Sequence, residues 1–142
     1  MRLALDHARI AAEQGEVPVG AVIMRGDQVV AVAGNAMRQG HDPTAHAEIA
    51  VIRMACAAIC NQRLTDCDLW VTLEPCAMCA AAIAQARIAR LYYAASDPKG
   101  GGVEHGPRIF ASEGCNHIPE IYSGIGEGEA SVLLKQFFAR RR

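Results

Sequence analysis

Two short motifs constrain this chain more than anything else in it: His46-Ala47-Glu48 and Pro75-Cys76-Ala77-Met78-Cys79. Each falls where the surrounding residues predict the start of a helix. Asp42-Pro43-Thr44 ahead of the first has the residue types that open a helix, which should run from Thr44 or Ala45 to about Ile59. The alanine-dominated stretch from Cys76 to Arg87 is helix-forming throughout. If the motifs act together, the fold must bring two helix N-termini to one point. Cysteines at i and i+3 share one side of a helix, so Cys76 and Cys79 present two sulfurs to one ion. The partial positive charge of the helix start favours their thiolate forms.

Zinc takes four ligands, and a catalytic site uses three from protein while keeping a water. No second C-x-x-C occurs. Cys56 and Cys60 lie four apart in an apolar, helix-like run and read as small buried side chains, as do Cys67 and Cys115. A closed all-cysteine site is therefore disfavoured, and His46 becomes the third donor, giving one Zn2+ per chain with an open fourth position. Glu48 sits about 200° round an ideal helix from His46. At an irregular first turn both still border one pocket, which suits Glu48 to proton transfer beside a bound water better than to ligation. Taken singly, C-x-x-C serves redox or structural roles about as often, and H-x-E near a helix start usually carries no chemistry. The order of the two motifs, with Pro75 directly before Cys76, matches the signature of zinc base deaminases.

A chain of 142 residues, 51% hydrophobic, is long enough for one buried core, so residues 1–142 read as a single domain. Aromatic residues make up only 5%, which leaves the core to Ala, Val, Ile and Leu, with Trp70 the one tryptophan. Residues 2–14 have helical spacing. Residues 19–24 and 28–33 are β-rich around Arg25-Gly26-Asp27 and predict a hairpin. Residues 69–73 and 90–94 read as strands, 120–125 as a possible fifth, and 128–139 as an amphipathic helix. Asp97-Pro98-Lys99 and the three glycines after them predict a flexible loop. His105 and His117 read as loop histidines, not ligands. The order α-β-β-α-β-α-β-(β)-α fits a central sheet covered by helices on both faces.

A net charge of −1 gives no general argument for a polyanion partner. Basic residues do cluster locally: Lys135, Arg140, Arg141 and Arg142 near the end, Lys99 and Arg108 beside the glycine loop. A terminal basic run is more often a solvated helix end than a binding arm. Asp6, His7 and Arg9 interrupt any signal-peptide pattern, and no apolar stretch approaches the ~20 residues of a membrane span. The expectation is a cytoplasmic protein with no membrane partner.

At the metal motifs the chain resembles the cytidine deaminase-like superfamily, and more closely the bacterial tRNA-specific adenosine deaminases. The resemblance spans nearly the whole length, through EVPVGAVI at 16–23, GN at 34–35, HDPTAHAEI at 41–49, VTLEPCAMCAAAI at 71–83, ARI at 86–88 and FFARRR at 137–142. It implies a three-layer α/β/α fold with a five-stranded mixed central sheet, a homodimer, and conversion of the wobble adenosine of a tRNA anticodon loop to inosine. His46, Cys76 and Cys79 would bind zinc. Glu48 would take a proton from the attacking water, deliver it to ring N1 and then protonate the leaving amine, releasing ammonia. Asn35 would bond the target base, the backbone at Ala47 would help orient it, and Asp97 and Lys99 would line the path of neighbouring nucleotides. Ala36 departs from the arginine often found there in relatives, and residues 103–117 match only loosely.

Three other readings stay open. A deaminase of the same superfamily acting on free guanine, cytosine or cytidine would carry the same zinc motifs, because the pocket walls choose the base. A non-catalytic zinc-stabilised binding module, or thiol redox chemistry at Cys76 and Cys79, would need no proton shuttle at all.

Overall fold

The computed structural model describes residues 1–142. Helix α1 (Arg2–Glu13) leads into the hairpin β1 (Gly20–Arg25) and β2 (Gln28–Gly34). Arg25 stands opposite Gln28, and Gly26 turns the chain at φ +58°, in the left-handed region that glycine tolerates. Then follow α2 (Ala47–Ile59), β3 (Asp68–Leu73), α3 (Ala77–Ala86), β4 (Arg90–Ala95), a 3-10 turn at Ile109–Ala111, β5 (Glu120–Ser123) and α4 (Glu127–Ala139). The five strands form one sheet in the order β2-β1-β3-β4-β5. β1 is antiparallel to β2 and β3, whereas β3, β4 and β5 run parallel. The sheet is therefore mixed, with α3 as the crossover between parallel β3 and β4.

Alternation along the strands divides the core into two. Ala21, Ile23, Leu69, Val71, Leu91 and Tyr93 pack with Val51 and Ala55 of α2 and Ala80 and Ile83 of α3. On the other face Ala94 joins Leu5 of α1 and Ala130 of α4. This is the expected α/β/α arrangement. Small residues let the layers close: a Cβ at Gly20 would run into the Ala4 carbonyl oxygen and the Ala8 nitrogen, so α1 presses directly on β1.

Topology also decides where a site can form. The carboxyl ends of β2, β3 and β4 and the amino end of β1 all reach the same edge, where α2 and α3 begin. Open α/β sheets bind ligands outside the carboxyl ends of their strands.

Element boundaries differ from the sequence reading where side chains intervene. The Asp42 Oδ1 accepts both the N–H and the hydroxyl of Thr44, forming a turn that delays α2 to Ala47. The 103–117 stretch contains a 3-10 turn that buries Phe110 against the core. Burial was expected for both Cys56 and Cys60, but Cys56 is only half-buried and Cys60 is exposed, in a left-handed conformation at the end of α2. Helix α2 buries its Val51–Ala55 side and turns these sulfurs outward. No helix is long and apolar enough to cross a membrane.

Candidate metal and catalytic site

His46 and Cys76 occupy the same structural role in different helices. Each is the N-cap, extended in backbone (φ −73°, ψ 151° and φ −70°, ψ 173°), with the first helical turn directly behind it. Cys79 follows one turn into α3 and is fully buried. The His46 Nδ1 lies 3.6 Å from the Cys76 Sγ and 3.5 Å from the Cys79 Sγ, and all three donor atoms fall within 4.8 Å of one another.

Those distances test the group that the residues could hold. Zinc bonds of ~2.3 Å to sulfur and ~2.05 Å to nitrogen, at a tetrahedral angle, place N and S about 3.6 Å apart. The side chains already stand at that spacing. Hydrogen bonds from Cys79 and His46 pull the Cys76 thiol down to about 4, so this sulfur favours the thiolate that a metal ligates. His46 is shifted up by its bond to Cys76, and Cys79 is shifted up by donating to Cys76 and by burial. No fourth protein donor joins the cluster, so the donor set fits an open zinc site.

Glu48 is 3% exposed at the first turn of α2, and burial pushes its carboxyl up to about 7. It lines one cavity of about 270 Å³ together with His46, Cys76, Asn35, Val19, Leu73 and Asp97. The irregular start of α2 thus overcomes the angular offset between His46 and Glu48, because His46 stands outside the helix proper. A carboxyl poised near neutrality beside a metal-ligand cluster suits general acid and base work.

Of the remaining expected residues, Asn35 and Asp97 line this cavity, whereas Ala47 and Lys99 do not. Asn35, buried at the end of β2, accepts the Ala47 N–H through its Oδ1 at 2.9 Å. Its Nδ2 has no protein acceptor. The Ala47 N–H is thereby engaged by Asn35. The Asp97 Oδ1 accepts the N–H groups of Lys99 and Gly100, making the Asp-Pro turn, while the Lys99 side chain lies outside this cavity in an adjoining groove. That groove, about 810 Å³, runs between α4 and the loop after β4 and shares Val17, Leu73 and Asp97 with the cavity. Lys99, Lys135, Arg141 and Arg142 line it, against Asp97 as its one acid.

Two carboxylates escaped the sequence reading. The Glu16 Oε1 accepts the N–H groups of Arg38 and Gln39, anchoring the loop that leads from Asn35 to His46. Glu74 does the same for the loop after β4. Burial raises its carboxyl, but N–H groups of Asp97, His105 and Glu104 and the His105 ring hold it below the ordinary value. The available signal was an acid embedded in an apolar strand end, Leu73-Glu74-Pro75. His105 and His117 are indeed loop histidines, bonded to Glu74 and to the Ile88 carbonyl.

The family model of the MafB19-like deaminases matches residues 1–142. A tRNA-specific adenosine deaminase from Agrobacterium fabrum is 57% identical over 142 residues, all of this chain and 93% of the relative. The chain belongs to the tRNA-specific adenosine deaminases. The deaminase of this name from Rickettsia bellii is 48% identical across all of this chain and 99% of its own. A solved chain from structural studies of A-to-I editing by tRNA:A34 deaminases at the wobble position superposes with a TM-score of 0.93. It shares 57% identity and covers 94% of this deaminase and 97% of its own length. The mixed five-stranded sheet is thus the fold of the family, and the chain is an enzyme.

Proposed function

We propose that this enzyme hydrolytically deaminates adenosine to inosine at the wobble position of a tRNA anticodon, with one zinc ion per chain. The observation that carries the reading is a His/Cys/Cys cluster at tetrahedral spacing, sharing its cavity with buried Glu48. Its 57% identity to a tRNA-specific adenosine deaminase supports the choice of substrate.

His46, Cys76 and Cys79 hold the metal, which when bound supplies a Lewis acid and a water acidified toward a pKa of ~7. Glu48 accepts a proton from the attacking water and passes it to ring N1 of the adenine. With the water oxygen bonded to C6, the same carboxylate takes the proton of the new C6 hydroxyl and passes it to the amine, so that the C6–N bond breaks, the C6 carbonyl of inosine forms and ammonia leaves. Asn35 donates through Nδ2 to the base, held in that orientation by the Ala47 N–H. The basic groove of Lys99, Lys135, Arg141 and Arg142 receives the flanking phosphates, with Asp97 and Lys99 beside the path of neighbouring nucleotides.

The test is a side-by-side incubation with an anticodon stem-loop carrying adenosine at the wobble position, free guanine and free cytidine. Conversion of the stem-loop alone is expected, with binding that weakens as salt rises because phosphate contacts release counterions. Conversion of only the free compounds would end the tRNA reading.

The proposed enzyme is a homodimer with a single domain per chain, working in the cytoplasm. Support for the dimer comes from the outer faces of α2 and α3. Met54 is 48% exposed on α2, with Ala57 and Ala58 of the same helix also exposed, and Ala81 is exposed on α3. Helix α3 carries no charge at all, and Arg53 is the only exposed one on α2. Apolar surface of this kind marks a protein interface. Sedimentation should give a dimer for the wild type and a monomer for Met54→Glu/Ala81→Glu. A monomeric wild type would contradict the assignment.

A further inference from the structure

The three glycines after Lys99 predict a flexible loop, and in the structure that loop is fastened by hydrogen bonds. Its fastener is Glu74, whose side chain is 0% exposed. The Oε2 accepts the Asp97 N–H at 2.9 Å and pairs with the His105 Nδ1 at 2.8 Å. The Oε1 accepts the N–H groups of Glu104 at 2.9 Å, His105 at 3.0 Å and Val103 at 3.3 Å. One carboxylate thus gathers donors from both ends of the 97–105 loop.

The glycines make that possible. A Cβ at Gly101 would sit 2.6 Å from the Glu74 carboxyl carbon and 2.5 Å from the Asp97 carbonyl oxygen. One at Gly102 would sit 2.5 Å from the Ala77 nitrogen. Only a bare backbone can lie this close beneath α3. The Gly102 N–H also donates to the Pro75 carbonyl at 2.8 Å, which ties the loop to the segment that carries Cys76.

The loop's outer edge is what faces substrate. Asp97 and Gly100 border the catalytic cavity, and Asp97 and Lys99 border the basic groove. We propose that Glu74 is a positioning residue for RNA: it holds Asp97 and Lys99 at the junction of cavity and groove, where the nucleotides flanking the target pass. The inference rests on the tRNA reading above. Glu74 backs the catalytic cavity, but its side chain is 0% exposed and its carboxylate bonds only to residues of the 97–105 loop, so its effect falls on substrate binding more than on the chemical step.

The decisive variant is Glu74→Gln. Its oxygen can still accept from Val103, Glu104 and His105, but its NH2 then faces the Asp97 N–H, donor against donor. The KM for the anticodon stem-loop should rise about 10-fold or more, the scale of one lost hydrogen bond to a charged group. The kcat should stay within about threefold, as expected when binding common to ground and transition states is removed. Zinc content should not change, and hydrogen exchange should quicken at the Asp97 amide. Glu74→Asp, which keeps the charge, should recover part of the KM. Gly101→Ala pushes the loop off an intact carboxylate and should reproduce the KM rise; it decides the matter if Glu74→Gln fails to fold or loses zinc.

A faster-exchanging Asp97 amide with an unchanged KM would overturn the proposal, as would a fall in kcat at constant KM. If the wild type did not convert the stem-loop while the amide behaved as described, the tRNA reading would be at fault instead.

Discussion

Replacing Glu48 with Gln is expected to lower kcat by about 10²-fold or more, the usual contribution of a positioned general acid and base. The substitution keeps shape and volume and removes only the proton traffic. Glu48 is almost wholly buried, so a neutral amide there relieves the cost of enclosing a carboxylate, and folding should not suffer. His46, Cys76 and Cys79 are untouched, and zinc should remain near one per chain. Steady-state kinetics on the stem-loop, metal analysis and a thermal melt on the same preparation separate these effects. A zinc-stabilised binding module predicts no functional change in this variant. Turnover equal to the wild type, with the metal retained, would remove Glu48 from the mechanism.

That residue also shows how far sequence reasoning reaches. The types and spacing of His46, Glu48, Cys76 and Cys79 were legible because metal ligation and proton transfer need particular atoms. Their convergence was legible because both motifs open helices. The α/β/α layering followed from the alternation of periods along the chain. Other features depend on contacts between distant segments, which no local pattern records. Asn35 reads locally as a turn residue after Gly34, and only the fold shows its Oδ1 accepting from Ala47. Glu74 reads as one acid before a proline; its donors at Asp97, Val103, Glu104 and His105 arrive from another segment. The glycines 100–102 were correctly seen as breaking regular structure. The fold adds a second use for them, since Gly101 and Gly102 permit close approach to Glu74 and to α3. Cys60 escaped burial because α2 turns an apolar side outward, a choice made by the layer and not by the helix.

Cys79→Ala should lose zinc, activity and stability together. Cys79 is fully buried one turn inside α3, so its sulfur is held by the helix, whereas His46 and Cys76 are N-caps on separate segments. Without it two protein donors remain, fewer than the three of a catalytic zinc site. An ion that binds only the folded chain stabilises it by about 4 kcal/mol when present at 1,000 times its dissociation constant. For a chain of this size each 1 kcal/mol corresponds to roughly 2–4 °C in Tm. A Tm lower by on the order of 10 °C follows from the lost linkage, before any cavity cost at the vacated sulfur is added. Chelation supplies the control that isolates the metal. A chelator should lower the wild-type Tm toward that of Cys79→Ala, and restored zinc should reverse the loss, while the variant should respond to neither. If Cys76 and Cys79 were instead a redox pair, the purified wild type would hold no zinc, and its Tm would follow the thiol reductant and ignore the chelator. A fully metallated Cys79→Ala would exclude this sulfur as a ligand and, with it, the three-donor centre on which the hydrolytic reading stands.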